Sequence, residues 1–229
     1  MTQDRTKYLG GSDMNRLVHG DEDVWHQLWC EKTGRSQQED LSENLPVQLG
    51  IQTEPLNLHW FRLNYDFLTK DQVWKEMNYE GVPAGGTLDG VVLSEHTFVE
   101  CKHTYESNNI TSVSERYMPQ IQWYCFLSNL DGCYLSVFFG NRRWECVFIK
   151  KNWQYIEELK TLASKFWKAV TSDVEPVVEG KEILSIDDIE LNDMVARDAS
   201  QDNHFNTLAE EYIEFCLLYT SDAADDGLS

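Results

Sequence analysis

The sequence predicts an α/β protein in which helices flank a mixed central β-sheet. Two strand–turn–strand signals indicate the sheet, one at residues 85–102 and one at residues 132–149, where strand-forming apolar residues border short turns. Apolar residues at helical spacing indicate helices at residues 24–34 and 153–170. Strands and helices mixed along one chain are typical of a sheet with helices packed against it.

The composition is that of a globular protein with an unevenly distributed negative charge. Of the 229 residues, 41% are hydrophobic and 12% are aromatic, which is enough for a substantial core. The formal net charge is −20, but residues from 171 onward include 16 acidic and 2 basic residues, whereas residues 1–170 include 23 acidic and 17 basic ones. The first 170 residues are therefore only mildly acidic, and any attraction for a phosphate backbone must be local.

The cysteines and the N-terminus favour a cytoplasmic protein. None of the six cysteines forms a Cys-x-x-Cys pair, and most lie beside apolar residues in predicted elements, which is typical of buried free thiols in a reducing compartment. The N-terminus lacks an apolar signal region, and no apolar run approaches the length of a membrane span. We therefore expect a soluble protein in the cytoplasm with no membrane partner.

The first 34 residues contain two predicted helices. Gly10 and Gly11 precede the first helix, for which Ser12 or Asp13 is the expected N-cap. A helix start that follows glycines can bind a phosphate through its free N–H groups, although an ordinary cap has the same pattern. The second helix, residues 24–34, is amphipathic and ends in Lys-Thr-Gly.

An acidic residue interrupts the next apolar segment, residues 47–61. The apolar residues there follow helical spacing, but Pro55 costs about 3 kcal/mol in a helix interior and disfavours helix at the residue before it. We therefore expect a kink or break near Glu54. An acid without a function is usually found on a solvated surface and not at an irregularity within an apolar segment. Glu54 is therefore predicted to be functional.

The hairpin of residues 85–102 follows a predicted first strand at residues 73–79 and concentrates two acids and a lysine. Glu100 and Lys102 point to one face of their strand, and Cys101 points to the other. A turn at residues 94–96 can bring Asp89 of the preceding strand beside Glu100. Two carboxylates suit Mg²⁺, which lowers the pKa of a bound water, while an ammonium can orient that water. The structural alternative is a pair of amphipathic strands with solvated charges.

A glutamine near the start of a later helix is the next candidate. Residues 103–114 are polar and are expected to form a loop, and because proline is tolerated in a first helical turn, the following helix is expected to begin near Met118. Gln120 would then lie at the N-terminal end of this helix, where its amide could bond a phosphate or the nucleophilic water. Gln122 and Tyr117 are secondary candidates. The alternative is a buried glutamine that bonds backbone groups.

Together these motifs resemble the PD-(D/E)XK nuclease superfamily and, within it, the lambda-exonuclease (YqaJ-type) viral recombinase nucleases. The resemblance covers about residues 5–150 and includes Gly-Gly-Ser with Lys-Thr-Gly, the Glu-Pro element, Asp…Glu-x-Lys and Tyr-Met-x-Gln-x-Gln. Leu88 stands where the superfamily often has proline. The resemblance implies a restriction-endonuclease-like core and a DNA exonuclease that requires Mg²⁺, with Mn²⁺ as an alternative. It further implies 5′→3′ digestion of double-stranded ends in phage recombination.

The resemblance also implies a metal site. Asp89, Glu100 and the backbone carbonyl of Cys101 would hold the ion, and Glu54 would complete its shell directly or through water. Lys102 would activate the nucleophilic water.

The resemblance implies substrate contacts and partners as well. Gln120 would position the nucleophilic water. Ser12 would contact the terminal 5′-phosphate of the DNA, with Arg5 as its basic partner and Lys7 as the alternative. Family members form rings that encircle DNA and work with a single-strand annealing protein, so we expect a homo-oligomeric ring, double-stranded DNA ends and an annealing protein as partners. The host cell cytoplasm is the location that this role implies.

The chain is expected to divide into a nuclease domain at residues 1–170 and an acidic extension at residues 171–215 with a final helix at residues 208–215. Residues 216–229 look like the translation of a sequencing adapter.

Two other functions fit part of the sequence. One is a structure-specific or restriction-like endonuclease of the same superfamily, and the other is a non-enzymatic acidic protein that mimics DNA, which the net charge of −20 would suit.

Overall fold

The computed structural model describes residues 4–37, 39–178 and 191–198 of the chain. After a short 3₁₀ helix at Arg5–Lys7, its helices are α1 (Gly11–His19), α2 (Glu22–Lys32), α3 (Leu45–Tyr65), α4 (Ile110–Ser128) and α5 (Trp153–Ser172). Its strands are β1 (Thr69–Tyr79), β2 (Val82–Val92), β3 (Thr97–Thr104), β4 (Gly132–Phe139), β5 (Arg143–Lys150) and β6 (Leu191–Asp198). Within these ranges, every helix is too short or too polar to span a lipid bilayer.

The strands form one mixed sheet in which spatial order follows chain order, from β1 to β6. All neighbouring strands are antiparallel except β3 and β4, which are parallel and are connected through α4. A parallel pair needs a long crossover, and α4 supplies it. The predicted α/β class, with helices around a mixed sheet, is confirmed.

Strand β6 belongs to the segment that was expected to be an acidic extension. It pairs antiparallel with β5, with Cα partners from Arg143 and Asp198 to Ile149 and Leu191. At least part of residues 171–215 therefore adds to the sheet. The division into domains stays a prediction, and the helix expected at residues 208–215 and the segment 216–229 lie outside the described residues.

Both faces of the sheet are covered by helices. Alternate residues of β4 enter different cores: Leu135 and Val137 pack in a core with residues of α1, α2, α4 and α5, whereas Phe138 packs in a core with residues of α3. Successive residues of a strand point to opposite faces. Helix α3 therefore lies on one face of the sheet and the other four helices lie on the opposite face.

Helix α3 is continuous through Pro55, so of the kink or break expected near Glu54 the break is wrong. A proline inside a helix removes one backbone hydrogen bond and costs about 3 kcal/mol. Burial of Leu58 and Phe61 against the sheet offsets this cost, since both are 3% exposed or less. Tertiary packing thus overrides the local preference.

A buried polar network fixes α3 to the centre of the sheet. The Asn57 amide nitrogen donates to the backbone carbonyls of Lys102 and Ser136, at 3.1 Å in both cases. The Ser136 hydroxyl donates to Asn57 Oδ1 at 2.5 Å and accepts from Trp144 Nε1 at 2.8 Å. The network therefore links α3 directly to the strand that bears Lys102.

Helix α4 begins at Ile110 and not near Met118, so the predicted start was wrong. Asn109 is the N-cap, and its side chain accepts from the backbone N–H of Ser112 at 2.9 Å. The polar residues that were expected to form a loop therefore supply the cap and the first turns of the helix. Pro119 lies inside α4, as Pro55 lies inside α3.

Replacing Asn57 with alanine should destabilise the fold. The Asn57→Ala variant leaves two buried carbonyls and the Ser136 hydroxyl without the partner they have here, so we expect a loss of about 1–3 kcal/mol in the free energy of unfolding. Urea titration measures this loss. The matched control is Gln52→Ala on the exposed side of α3, which should change stability by less than about 0.5 kcal/mol. Equal effects of the two substitutions would contradict the role of the network.

Candidate active site

The two acids of the central hairpin meet where β2 and β3 separate. The ladder between these strands pairs Val92 with Thr97 and ends at Gly90 and Val99. Just beyond this point, the carboxylate of Asp89 accepts a hydrogen bond from the backbone N–H of Cys101 at 2.8 Å. An acidic side chain thus bonds to the next strand at the end of the ladder.

Glu100 is the most enclosed acid of this group, with a relative exposure of 1%. Its Oε1 accepts from Lys102 Nζ at 2.6 Å and from the Gln120 amide at 2.5 Å. Its Oε2 is buried and has no hydrogen-bond partner within the described part of the chain. A buried carboxylate oxygen without a partner is costly, so a ligand at this position would satisfy it.

The predicted orientation of residues 100–102 is confirmed by their contacts. Glu100 and Lys102 both reach side chains of α4, because Lys102 Nζ also lies 4.6 Å from the ring centre of Tyr117. Cys101 packs in the core on the opposite face with α3. Tyr117, a secondary candidate, therefore lies at the site.

The electrostatics indicate a surplus of negative charge. Burial and the neighbouring Glu100 carboxylate raise the pKa of Asp89 well above its usual range. The same two causes raise the pKa of Glu54. Burial would lower the pKa of Lys102, but the carboxylates of Glu100 and Asp89 outweigh burial and raise it, so this side chain stays an ammonium. When ionised, three carboxylates face one ammonium, which leaves two negative charges uncompensated.

These features fit a divalent cation held mainly by two carboxylates. A double positive charge would balance the surplus, and the partnerless Oε2 of Glu100 offers one ligand. No group of three or more His, Cys, Asp or Glu side chains in the described residues is arranged as a ready metal cage. Mg²⁺ does not need such a cage, because it binds one or two carboxylates and keeps several waters.

Glu54 lies at the edge of this cluster and is held by a residue that the sequence did not single out. The amide of Gln72 donates to Glu54 Oε1. Gln72 lies in β1 and has a φ of 53°, in the left-handed region that is unfavourable for a residue with a side chain. The bond to Glu54 ties this irregular strand residue to α3.

Gln120 reaches the site from the middle of α4 and not from its N-terminal end as predicted. Its backbone N–H donates to Asn15 Oδ1 at 3.0 Å, and the Asn15 amide donates to Gln120 Oε1 at 3.2 Å. Asn15 therefore orients the amide that bonds Glu100. The sequence missed Asn15, because only the packing of α1 against α4 brings it to Gln120.

Gln122, the other secondary candidate, is directed elsewhere. Its amide nitrogen donates to the Lys150 carbonyl at 2.9 Å, and its Oε1 accepts from the Asn152 N–H at 2.8 Å. Gln122 therefore connects α4 with the β5–α5 turn and does not contact the carboxylates.

The two predicted phosphate-binding residues contact each other. Arg5 Nη2 donates to the Ser12 hydroxyl at 2.6 Å and lies 3.7 Å from the Asp13 carboxylate. Lys7, the alternative to Arg5, pairs instead with Asp4 at 3.2 Å on an exposed surface. Arg5 is therefore better placed than Lys7 to act with Ser12.

Helix α1 begins earlier than predicted, at Gly11, with Gly10 as its N-cap, so neither Ser12 nor Asp13 is the N-cap. Asp13 is buried, accepts from the Gly10 N–H at 2.8 Å and pairs with Lys32 at 2.7 Å. Lys32, from the Lys-Thr-Gly end of α2, also donates to the Arg5 and Tyr8 carbonyls at 2.7 Å. This lysine therefore fixes the backbone around Arg5.

A cavity of about 280 Å³ opens next to Arg5 and Ser12. Two of its acids are already paired, since Asp13 bonds Lys32 and Glu31 forms a two-bond ion pair with Arg16 at 2.8 and 2.9 Å. The side chain of Arg5 is 45% exposed and lines this cavity, so it remains accessible to an anion there.

Known proteins resemble this chain in both sequence and fold. A sequence model of the YqaJ-like viral recombinase domain matches residues 2–131. The fold is similar to that of an alkaline exonuclease (LHK-Exo) from Laribacter hongkongensis, at 16% identity and a TM-score of 0.59, over 75% of this chain and 91% of that one. The same enzyme in complex with dAMP gives a TM-score of 0.60. No curated protein matches the sequence.

A phage-related exonuclease from Haemophilus somnus is also similar in fold, with 11% identity and a TM-score of 0.59, over 72% of this chain and 96% of that one. At such low identities the likeness shows the fold alone, so the chemistry has to be inferred from the residues of the site.

Replacing Asp89 with asparagine should stabilise the metal-free protein. The Asp89→Asn variant keeps an acceptor for the Cys101 N–H and removes an acid whose charged form burial and Glu100 disfavour. We expect a gain of about 0.5–2 kcal/mol in the free energy of unfolding in EDTA, measured by urea titration. Mg²⁺ should stabilise the wild type more than this variant, because a ligand that binds only the folded state adds stability.

The matched control is Asp131→Asn, at an exposed carboxylate that pairs with His96 and Lys151. It should change stability by less than about 0.5 kcal/mol and keep the full response to Mg²⁺. A destabilised Asp89→Asn variant in EDTA would contradict the charge surplus.

Proposed function

Because the chain belongs to the YqaJ-like viral recombinase domain family, we propose that it is a metal-dependent DNA exonuclease that hydrolyses phosphodiester bonds. The observation that carries this proposal is the buried Glu100, whose Oε2 has no partner in the described residues while Lys102 and Gln120 hold its Oε1. A buried carboxylate oxygen without a donor is costly, and a bound ligand would remove that cost.

In this proposal, Asp89, Glu100 and the backbone carbonyl of Cys101 hold Mg²⁺, with Mn²⁺ as an alternative. When bound, the ion polarises the phosphodiester and lowers the pKa of a coordinated water. The Cys101 N–H donates to Asp89, which fixes the rotamer of that carboxylate. Glu54 supports the ion directly through its other oxygen or through a water, while the Gln72 amide bonds its Oε1.

Lys102 and Gln120 act on the nucleophilic water and on the charge that develops during hydrolysis. The ammonium of Lys102 stays protonated beside two carboxylates, so it donates hydrogen bonds and offsets the negative charge of the phosphorane-like transition state. Asn15 orients the Gln120 amide. The amide is thereby placed next to Glu100, where it can position the water.

We propose 5′→3′ digestion from double-stranded ends, with Ser12 and Arg5 as the contacts of the terminal 5′-phosphate. Ser12 lies in the first turn of α1, where free N–H groups and the helix dipole favour an anion. Asn15, one turn later on the same helix, bonds Gln120. A single rigid helix thus connects the proposed grip on the DNA end with the proposed catalytic residues.

The product of such an enzyme is a mononucleotide, and the Laribacter exonuclease has been crystallised with dAMP. By family resemblance we also propose a homo-oligomeric ring around DNA, a single-strand annealing protein as partner, and a role in phage recombination in the host cytoplasm.

Removal of the metal or of its ligands should abolish digestion of end-labelled linear duplex DNA. We expect release of nucleotides with Mg²⁺ and none with EDTA, and a loss of at least about 100-fold for Glu100→Ala and Lys102→Met. Lys168→Met, at an exposed lysine of α5, is the matched control and should retain full activity.

A closed circular DNA substrate distinguishes the proposed exonuclease from the alternative functions. An exonuclease leaves a closed circular duplex intact, whereas an endonuclease of the same superfamily would cut it. Digestion by Glu100→Ala at the wild-type rate would contradict the proposed site, and no digestion by the wild type would favour the non-enzymatic reading.

The end-binding residues should control the preference for a 5′-phosphate. We expect the wild type to digest 5′-phosphorylated duplex faster than 5′-hydroxyl duplex, and Ser12→Ala and Arg5→Ala to reduce this ratio by about tenfold because charge-assisted hydrogen bonds to the phosphate are lost. Lys7→Ala, which removes a neighbouring exposed cation, should leave the ratio unchanged. A ratio of one in the wild type would contradict the 5′-phosphate grip but would leave the metal site untouched.

A further inference from the structure

Cys30 differs from the other cysteines that the structure describes. Cys101, Cys125, Cys133 and Cys146 are buried, and burial raises the pKa of each of their thiols. Because the thiolate is the reactive form of cysteine, such thiols are poor nucleophiles. Cys30, near the end of α2, is only partly buried. It is therefore the described thiol that a reagent in solution can reach most readily.

The Cys30 thiol contacts a histidine, and this histidine contacts a glutamate. His26 precedes Cys30 by one helical turn, and its Nε2 lies 3.4 Å from Cys30 Sγ. Its other ring nitrogen, Nδ1, lies 2.5 Å from the carboxylate of Glu175, which follows α5. The fold thus brings a thiol, an imidazole and a carboxylate from two distant segments into consecutive contact.

The carboxylate determines what each ring nitrogen can do. A carboxylate only accepts hydrogen bonds, so Nδ1 of His26 must carry a proton and donate it to Glu175. In the neutral ring, Nε2 is then the acceptor, and the Cys30 thiol is the donor. Transfer of the thiol proton to Nε2 gives a thiolate next to an imidazolium, whose charge Glu175 offsets. This is the arrangement of a nucleophile, a base and an orienting acid.

We propose that Cys30 is a thiol-exchange site that reacts with small disulfides of the glutathione class. The Cys30 thiolate attacks one sulfur of the disulfide, the S–S bond of the reagent breaks, and a new S–S bond joins Cys30 to one half of the reagent. The other half leaves as a thiolate and takes the proton held by His26. The sulfur of Cys30 is oxidised as the leaving sulfur is reduced, so no other oxidant is needed.

The surroundings of Cys30 would change with this modification. Glu175, which follows α5, pairs with His26, and Asp173 pairs at 2.7 Å with Arg35, whose backbone N–H donates to the Cys30 carbonyl. Two ion pairs therefore join α2 to the segment after α5 beside the thiol. A glutathionyl group at Cys30 adds bulk and charge at this junction.

The test is the rate at which oxidised glutathione modifies the full chain under native conditions, with each cysteine assigned by peptide mass mapping. At pH 7, Cys30 should react at least about tenfold faster than the four buried cysteines. His26→Gln should slow the reaction of Cys30 about tenfold at pH 7, because the base is lost. The difference should vanish at pH 9.5, where a thiol ionises without help. Glu175→Gln should also slow the reaction at pH 7.

The matched control is His96→Gln. His96 also pairs with a carboxylate, through Nδ1 at 3.1 Å from Asp131, and its loss should leave the rate at Cys30 unchanged. Equal rates for the wild type and His26→Gln at pH 7, an equal slowing at both pH values, or earlier reaction at any of the four buried cysteines would each overturn the proposal.

Discussion

The structure around the site depends on a carboxylate that cannot be buried alone. Glu100 is enclosed by the sheet and α4, and an ionised acid away from water requires a countercharge and hydrogen-bond donors. Lys102 supplies the charge and Gln120 supplies the donor, but both bond the same oxygen. This requirement constrains three elements together, since β3 must direct both charged residues to one face, α4 must bring Gln120 within reach, and α1 must support Gln120 through Asn15.

The elements that carry the proposed active site are irregular, whereas β4 and β5 pair without a break along their whole length. The β2–β3 ladder ends beside Asp89, α3 contains Pro55 next to Glu54, and Gln72 adopts a positive φ within a strand. A left-handed conformation of this kind costs about 1–3 kcal/mol, and the bond from Gln72 to Glu54 helps to hold it. Several departures from regular secondary structure at one place are typical of a functional site.

The parts of the site that follow from local periodicity could be predicted, and the parts that follow from packing could not. Strand alternation and a short turn were enough to bring Asp89 to Glu100 and to orient Lys102. The same local rules placed a break near Pro55 and a late start for α4, because they do not include the burial that holds a helix through a proline. No sequence motif marks Asn15 as a site residue, because its contact with Gln120 exists only once α1 packs against α4.

Lys32 and Lys102 both pair with carboxylates, but the pKa of Lys32 is lowered and that of Lys102 is raised. Burial, together with the nearby Arg5 cation, lowers the pKa of Lys32 more than the carboxylates of Asp13 and Glu31 raise it, and two backbone carbonyls complete its hydrogen bonds. At Lys102, two carboxylates outweigh burial and the pKa rises. The Lys32 cluster is therefore complete as it stands and serves to fix the chain around Arg5. The Lys102 cluster still has an excess of acid, which is consistent with the proposed cation site between Asp89 and Glu100.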